Sequence, residues 1–155
     1  RMDKELSALI DTAIIREEEA YRFYMGIHGN IQDPAVKETL EWIAAEEQNH
    51  KAFLVKYRAG ELGHTPLRIS EVVYYRIAEH QQEPEPSAAM GRAEVFLVGA
   101  HREARSHAFY RDLAAEHPAG TVKEMLLRMA HEELKHKEKL EYLYANTAFP
   151  QTSGG

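Results

Sequence analysis

The stretch Ala130-His-Glu-Glu-Leu-Lys-His136 constrains this chain most, because its Glu133 and His136 recur as Glu47 and His50 in Ala44-Ala-Glu-Glu-Gln-Asn-His50. The two Glu-x-x-His pairs stand 86 residues apart. On a helix, residues three apart share a face, so each pair can point two metal-ligating groups in one direction. One such pair carries little information, since Glu and His are common on solvated helices. Two at a fixed offset prompt a comparison of the whole chain with itself.

Aligned without gaps at that offset, residues 13–57 and 99–143 are identical at 14 of 45 positions. Unrelated sequences would share about three, so a duplicated helical hairpin is the better account. The matches include Arg16 with Arg102, Glu17 with Glu103, Phe23-Tyr24 with Phe109-Tyr110, and Val36-Lys-Glu38 with Val122-Lys-Glu124. The hairpin repeats run over about 5–57 and 90–144, with a crossover over about 59–86.

Punctuation in the sequence sets the helices. The first is expected over 3–30. Asp33-Pro34 is a start signal for the second, Asp33 as N-cap and Pro34 in the first turn, and it runs to about Arg58. Ser70–Gln82 has room for a short helix that Glu83-Pro-Glu-Pro-Ser87 would end. Ser87 is then placed to cap the third long helix, running to about His117 before Pro118. Thr121-Val-Lys-Glu124 reads as a capping box opening the fourth, to about Asn146. No segment alternates as a strand does. Residues 1–148 are expected to form one domain, with 149–155 a flexible tail. Two tight connections flanking one long one predict an all-α four-helix bundle with a single long crossover between the second and third long helices.

Steps of four and three along each helix pick out the inward seam. Helix one gives Leu6, Ile10, Ala13, Glu17, Ala20, Tyr24, Ile27 and Ile31; helix two gives Val36, Leu40, Ile43, Glu47, His50, Leu54 and Tyr57. Helix three gives Phe96, Gly99, Glu103, Ser106, Tyr110 and Leu113; helix four gives Val122, Leu126, Met129, Glu133, His136, Leu140 and Leu143. The stripes are apolar except for four Glu and two His near mid-helix. Four buried carboxylates facing one another would repel, and no Lys or Arg holds an adjacent seam position. Two divalent cations would cancel that charge. The candidate metal ligands are therefore Glu17, Glu47, His50, Glu103, Glu133 and His136. Carboxylate with imidazole suits iron or manganese better than copper or a structural zinc.

Composition narrows the chemistry. No cysteine occurs, which removes disulfides, thiol catalysis and Cys-held metal. A net charge of −6 without a basic run argues against nucleic acid, and no apolar run is long enough for a membrane span. No secretory signal is read at the first residues, so a cytoplasmic location is expected.

With these residues in hand, the chain resembles the ferritin-like superfamily, and within it the rubrerythrin-type di-iron domain. The resemblance rests on Glu17 with Phe23-Tyr24, Glu47-x-x-His50, Glu103 with Phe109-Tyr110, and Glu133-x-x-His136. It implies a carboxylate-bridged pair of iron ions, with Glu47 and Glu133 bridging and the other four residues terminal. It implies an oxidoreductase of oxidative stress that reacts with H2O2 or O2. The four-cysteine iron module of full rubrerythrins is missing, so electrons would come from an external donor protein. Ser106 stands where the family carries an extra carboxylate, which counts against efficient peroxidase chemistry. The alternative is a ferroxidase or iron-binding protein without peroxidase turnover. A metal-free helical interaction module is a third reading, against which the intact six-residue set stands. A homodimer is the expectation for assembly.

The remaining residues have plainer readings. Tyr24 and Tyr110 suit hydrogen bonds to ligand carboxylates and equally suit core packing. Glu46 and Glu132 can orient a histidine, but a helix-surface role is preferred. His107 is read as a bundle-edge residue rather than a third histidine ligand. His28, His64, His80, His101, His117 and His131 are read as surface histidines, and Trp42 as packing. Val72-Val-Tyr-Tyr75 is read as a cap on the bundle in preference to a dimer contact.

Overall fold

The computed structural model describes residues 2–63, 66–82 and 91–149, and among them every regular element is helical. Helix α1 spans Lys4–His28, α2 Pro34–Arg58, α3 Glu71–Ala78, α4 Glu94–Ala115 and α5 Thr121–Ala148; a 3-10 turn, Glu79–Gln81, extends α3. Helices α1 and α2 pack together, as do α4 and α5, and α2 also meets α5. At 1.5 Å per residue, a 25-residue helix such as α1 is about 37 Å long. That length lets apolar layers lie above and below a polar one.

Side chains start three of the five helices. Asp3 accepts from Leu6 N at 3.3 Å, Asp33 from Ala35 N at 2.9 Å, and Ser70 from Val73 N at 3.2 Å. Asp3 also accepts from Ile69 N at 3.1 Å, which ties the α2–α4 connection to the base of α1. Two expected starts are corrected. The Thr121 capping box does not form, because Gly120 takes the N-cap position at φ 153°, where a side chain would be strained. Thr121 is thereby already inside the helix. Helix α4 begins at Glu94, so the α2–α4 connection runs to residue 93 rather than about 86. Gly91, a poor helix residue, lies against the Glu94 carboxylate. Ser87 and His64 lie outside the described residues, as does the tail beyond an exposed Phe149.

The segment at Val72 divides its faces. Val73 and Tyr74 pack on the core, whereas Val72 is 80% exposed and Tyr75 is also exposed. Capping is therefore done by half of the segment. Two apolar clusters make the core. One gathers Leu6, Ile10, Leu54, Leu113, Leu126 and Met129; the other gathers Tyr24, Leu40, Ile43, Phe96, Leu140 and Leu143. The seam residues between them in sequence are Glu17, Glu47, His50, Glu103, Glu133 and His136, all buried.

Candidate metal centre

Each long helix delivers its share of the centre from a seam position: Glu17 from α1, Glu47 and His50 from α2, Glu103 from α4, Glu133 and His136 from α5. They converge as two overlapping groups, Glu17-Glu47-His50-Glu133 and Glu47-Glu103-Glu133-His136. Within each group the candidate ligand atoms lie within 4.8 Å of one another. Glu47 and Glu133 belong to both. His50 Nδ1 is 3.1 Å from Glu133 Oε1 and 3.5 Å from Glu17 Oε1; His136 Nδ1 is 3.3 Å from Glu47 Oε1 and 3.6 Å from Glu103 Oε2. The two imidazoles face each other, nearly parallel, with centroids 6.3 Å apart.

A surrounding ring of partners orients these groups. His50 Nε2 lies 3.3 Å from Glu132 Oε1, and His136 Nε2 lies 2.7 Å from Glu46 Oε1. A carboxylate only accepts, so each Nε2 carries the proton and donates it outward. Each Nδ1 is thereby aimed inward. The tyrosines work across the bundle: Tyr24 on α1 donates to Glu103 on α4 at 2.6 Å, and Tyr110 on α4 donates to Glu17 on α1 at 2.5 Å. Each tyrosine is seven residues beyond the Glu of its own helix, too far along the axis, and meets the Glu of the other.

Seven inward atoms have no hydrogen-bond partner: Glu17 Oε2, Glu47 Oε1, His50 Nδ1, Glu103 Oε2, both Glu133 carboxylate oxygens and His136 Nδ1. Buried polar atoms are rarely left so, and seven in one place fit a cation set among them. Electrostatics agree. Burial, with the Glu133 charge, raises Glu17; burial, with Glu103 and Glu133, raises Glu47 well above the carboxylate range. Burial and Glu133 push Glu103 up to about 8. Burial opposes the charged forms of His50 and His136, yet the carboxylates around them raise both well above the usual imidazole range. Burial likewise opposes ionisation of Glu133, but the charge on His50, with His136 close by, holds it well below the carboxylate range. The donor set, four carboxylates and two imidazoles on two overlapping groups, can hold two metal ions.

A cavity of about 30 Å³ leads to this centre. Glu47, Glu103, Ser106 and Tyr110 line it together with Arg16 and Gln81. Arg16 Nε donates to Gln81 O at 3.1 Å, so the 3-10 turn is latched beside the opening. A cavity of about 10–15 Å³ already holds a water, so this one has room for a molecule the size of water or dioxygen.

Other readings of single residues are revised. Glu46 and Glu132 are not idle surface charges, because each bonds a histidine of the opposite helix. Their recurrence in both halves was the available signal. His117 is not a surface histidine: it is 3% exposed, its Nε2 accepts from Tyr57 OH at 2.5 Å, and its Nδ1 donates to Leu113 O at 2.8 Å. Burial lowers its pKa, which keeps the ring neutral. The α4 seam, continued past Leu113, reaches it. His107 bonds Ala130 O and stays outside both groups. His28 and His80 are half-buried and paired with Glu41 and Asp112, whereas His101 and His131 are exposed. Trp42 packs its ring edge-on against His136, centroids 5.1 Å apart.

Among the described residues, no helix is long and apolar enough to cross a membrane. Comparison with curated proteins and with solved structures gives no match. The family model described as Rubrerythrin matches residues 8–63, which hold α1 from its second turn, all of α2, and with them Glu17, Glu47 and His50. Over that stretch the rubrerythrin-type resemblance read from the sequence is shown.

Proposed function

We propose that this chain is a rubrerythrin-like dinuclear metal protein, di-iron in the first instance, that reacts with H2O2 or O2 and is re-reduced by an external electron donor. The ligands are Glu17, Glu47, His50, Glu103, Glu133 and His136, with Glu47 and Glu133 common to both ions. The observation that carries this reading is the convergence of seven buried, unpartnered ligand atoms on two overlapping groups. The frame is a ferritin-like four-helix bundle within 1–148, built from two repeated hairpins joined by one long crossover. The Rubrerythrin match over the first hairpin supports it.

Bound iron would supply two electrons to the oxidant. The chain's own residues do the rest. Four carboxylates neutralise two divalent ions, and Glu46 and Glu132 hold the imidazoles in the tautomer that offers Nδ1. Tyr24 and Tyr110 fix one oxygen each of Glu103 and Glu17. The cavity lined by Ser106 and Tyr110 admits only a small oxidant.

A second reading, a ferroxidase whose product is oxidised iron, is favoured by Ser106 and its repeat mate Ala20. Neither supplies the carboxylate that the peroxidase resemblance expects. Stopped-flow oxidation of the Fe(II)-loaded protein separates the two: faster reaction with H2O2 than with O2 supports peroxidase chemistry, and much faster reaction with O2 overturns it. Metal analysis with an anomalous edge scan tests both. Purified protein with only trace metal, taking up none from Fe(II) or Mn(II), would sink the dinuclear reading.

A further inference from the structure

We propose that Trp42 is the port through which electrons reach the centre: a one-electron carrier docks over the exposed edge of its indole, and the electron crosses the indole–imidazole contact to the metal held by His136. This rests on the function proposed above and adds a route to it. A centre that gives electrons to an oxidant must recover them, and no other redox-active cofactor site is legible in this cysteine-free sequence. The six ligands are buried, so a carrier cannot touch them. A bridge is needed that meets solvent on one side and a ligand ring on the other.

Trp42 meets both conditions. It is 38% exposed, and its ring stands at 85° to that of His136, with centroids 5.1 Å apart. Among the described residues, the other rings that touch a ligand imidazole do not reach solvent. Tyr110 meets His50 but is buried, and the remaining contact is between the two histidines themselves. The repeat sharpens the point. The position equivalent to Trp42 in the second half is Arg128, which reaches toward Glu132 at 3.8 Å. One histidine thus has an aromatic path outward and the other a charged one. Glu38, exposed one turn before Trp42 on the same side of α2, favours a carrier that presents positive charge around its redox group.

The step balances simply. Each carrier loses one electron, one Fe(III) becomes Fe(II), two carriers serve a two-iron centre, and no bond is made or broken in the protein. The test uses the full chain loaded with iron and oxidised, mixed anaerobically with the methyl viologen radical cation, a flat cationic one-electron reductant whose colour is lost on reaction. Trp42→Leu is expected to slow this reduction at least about tenfold, and Trp42→Phe to restore much of it. Tyr75→Leu, at an exposed ring that meets Tyr74 and no ligand imidazole, should leave it unchanged. A purely structural role for Trp42 would instead alter iron content, or the rate at which Fe(II) protein is oxidised by H2O2; both are expected to match wild type. A readout that needs no turnover comes from the chain having one tryptophan. Its emission should be quenched by Fe(III) and recover with Zn(II) in the same site. Equal reduction rates for wild type and Trp42→Leu, with iron content intact, overturn the port and leave the dinuclear centre standing. Failure of wild type to bind iron overturns both.

Discussion

The two halves of this molecule hold the same ligands in unlike surroundings. In the half made by α1 and α2, Glu47 and His50 follow Trp42; in the half made by α4 and α5, Glu133 and His136 follow Arg128. His136 is held by Glu46 at 2.7 Å, whereas His50 is held by Glu132 at 3.3 Å, and Arg128 approaches Glu132 as well. Ala20 in one half is Ser106 in the other, beside the cavity. Among the many positions that differ are residues around the ligands, which change without disturbing charge balance at the centre. The lesson is that the inner set is constrained by electrostatics and its envelope is not.

The strongest way to break the comparison is to remove one of the two carboxylates common to both groups. Glu47→Gln and Glu133→Gln should each abolish binding of the metal pair, measured by metal content after dialysis. The metal-free proteins should part company. Losing a carboxylate that burial keeps protonated, Glu47, should change the stability of the chelated protein little, because one neutral polar group replaces another. Losing Glu133, the ionised partner of His50 and His136, should destabilise it. The same imbalance sets pH dependence. Glu17, Glu47, Glu103, His50 and His136 all bind protons more tightly folded than unfolded, so the chelated protein loses stability as pH rises from about 5 to about 8. Glu133 has the opposite sign, and its contribution is lost as pH falls below the ordinary carboxylate range. Metal-loaded protein should show the reverse trend over pH 5 to 8, because metal competes with those protons. Thermal unfolding with and without chelator reads both; a chelated protein that gains stability between these limits would contradict the proton count.

Much of this was legible in the sequence, and the exceptions have physical reasons. All six residues of the buried carboxylate–imidazole cluster came from seam spacing, since burying Glu or His at a regular apolar position demands compensation. The tyrosines were visible as seam residues, but their crossed pairing was not. Spacing along one helix says nothing of which neighbour a side chain meets. Glu46 and Glu132 fell to the same blindness, because their partners lie on the opposite helix. The start of α4 was misplaced, as Ser87 satisfies a capping rule but Gly91, four residues on, is a poor helix former, and α4 begins only at Glu94. The Thr121 capping box lost to Gly120, which reaches a backbone conformation that Thr cannot share.

The outer carboxylates sharpen the comparison. Glu46→Gln should weaken metal binding about 10- to 100-fold, as loss of a partner to a metal-bound histidine generally does. Glu132→Gln should cost less, since its contact is longer and Arg128 draws on the same oxygen. Competition titrations with a chromophoric chelator give both affinities. Equal losses would mean that the unequal distances have no energetic meaning.

A third difference lies where Ile31 in one half is His117 in the other. Both are buried, yet only His117 has a polar partner, Tyr57. Burial also pushes the Tyr57 phenol up to about 12, so it remains a donor. His117→Ile should destabilise by about 1–3 kcal/mol, chiefly by leaving the Tyr57 hydroxyl buried without an acceptor. Adding Tyr57→Phe should recover part of that loss, because no orphan then remains. Urea unfolding of both singles and the double closes the cycle; strict additivity would show that the bond is not the source.

The smallest effect, and the finest probe of the two halves, is at Ala13 and its repeat mate Gly99. A Cβ on Gly99 would lie 3.2 Å from Leu140 Cδ1 and 3.2 Å from Tyr24 Cε1. The leucine tip can turn aside. The tyrosine ring cannot move freely, because its hydroxyl is committed to Glu103 at 2.6 Å. Gly99→Ala gains about 1 kcal/mol of helix propensity. The crowding it causes costs about the same or slightly more. Net stability should therefore shift by less than about 1 kcal/mol, while metal affinity falls as Tyr24 is pushed off Glu103. Ala13→Gly, by contrast, should lose about 1 kcal/mol of stability through propensity, with a further loss for the buried methyl, and leave metal affinity unchanged. If Gly99→Ala instead takes the full propensity gain with affinity intact, then the close approach at Gly99 imposes nothing on the Tyr24–Glu103 bond. The glycine would then be only a weak point in α4.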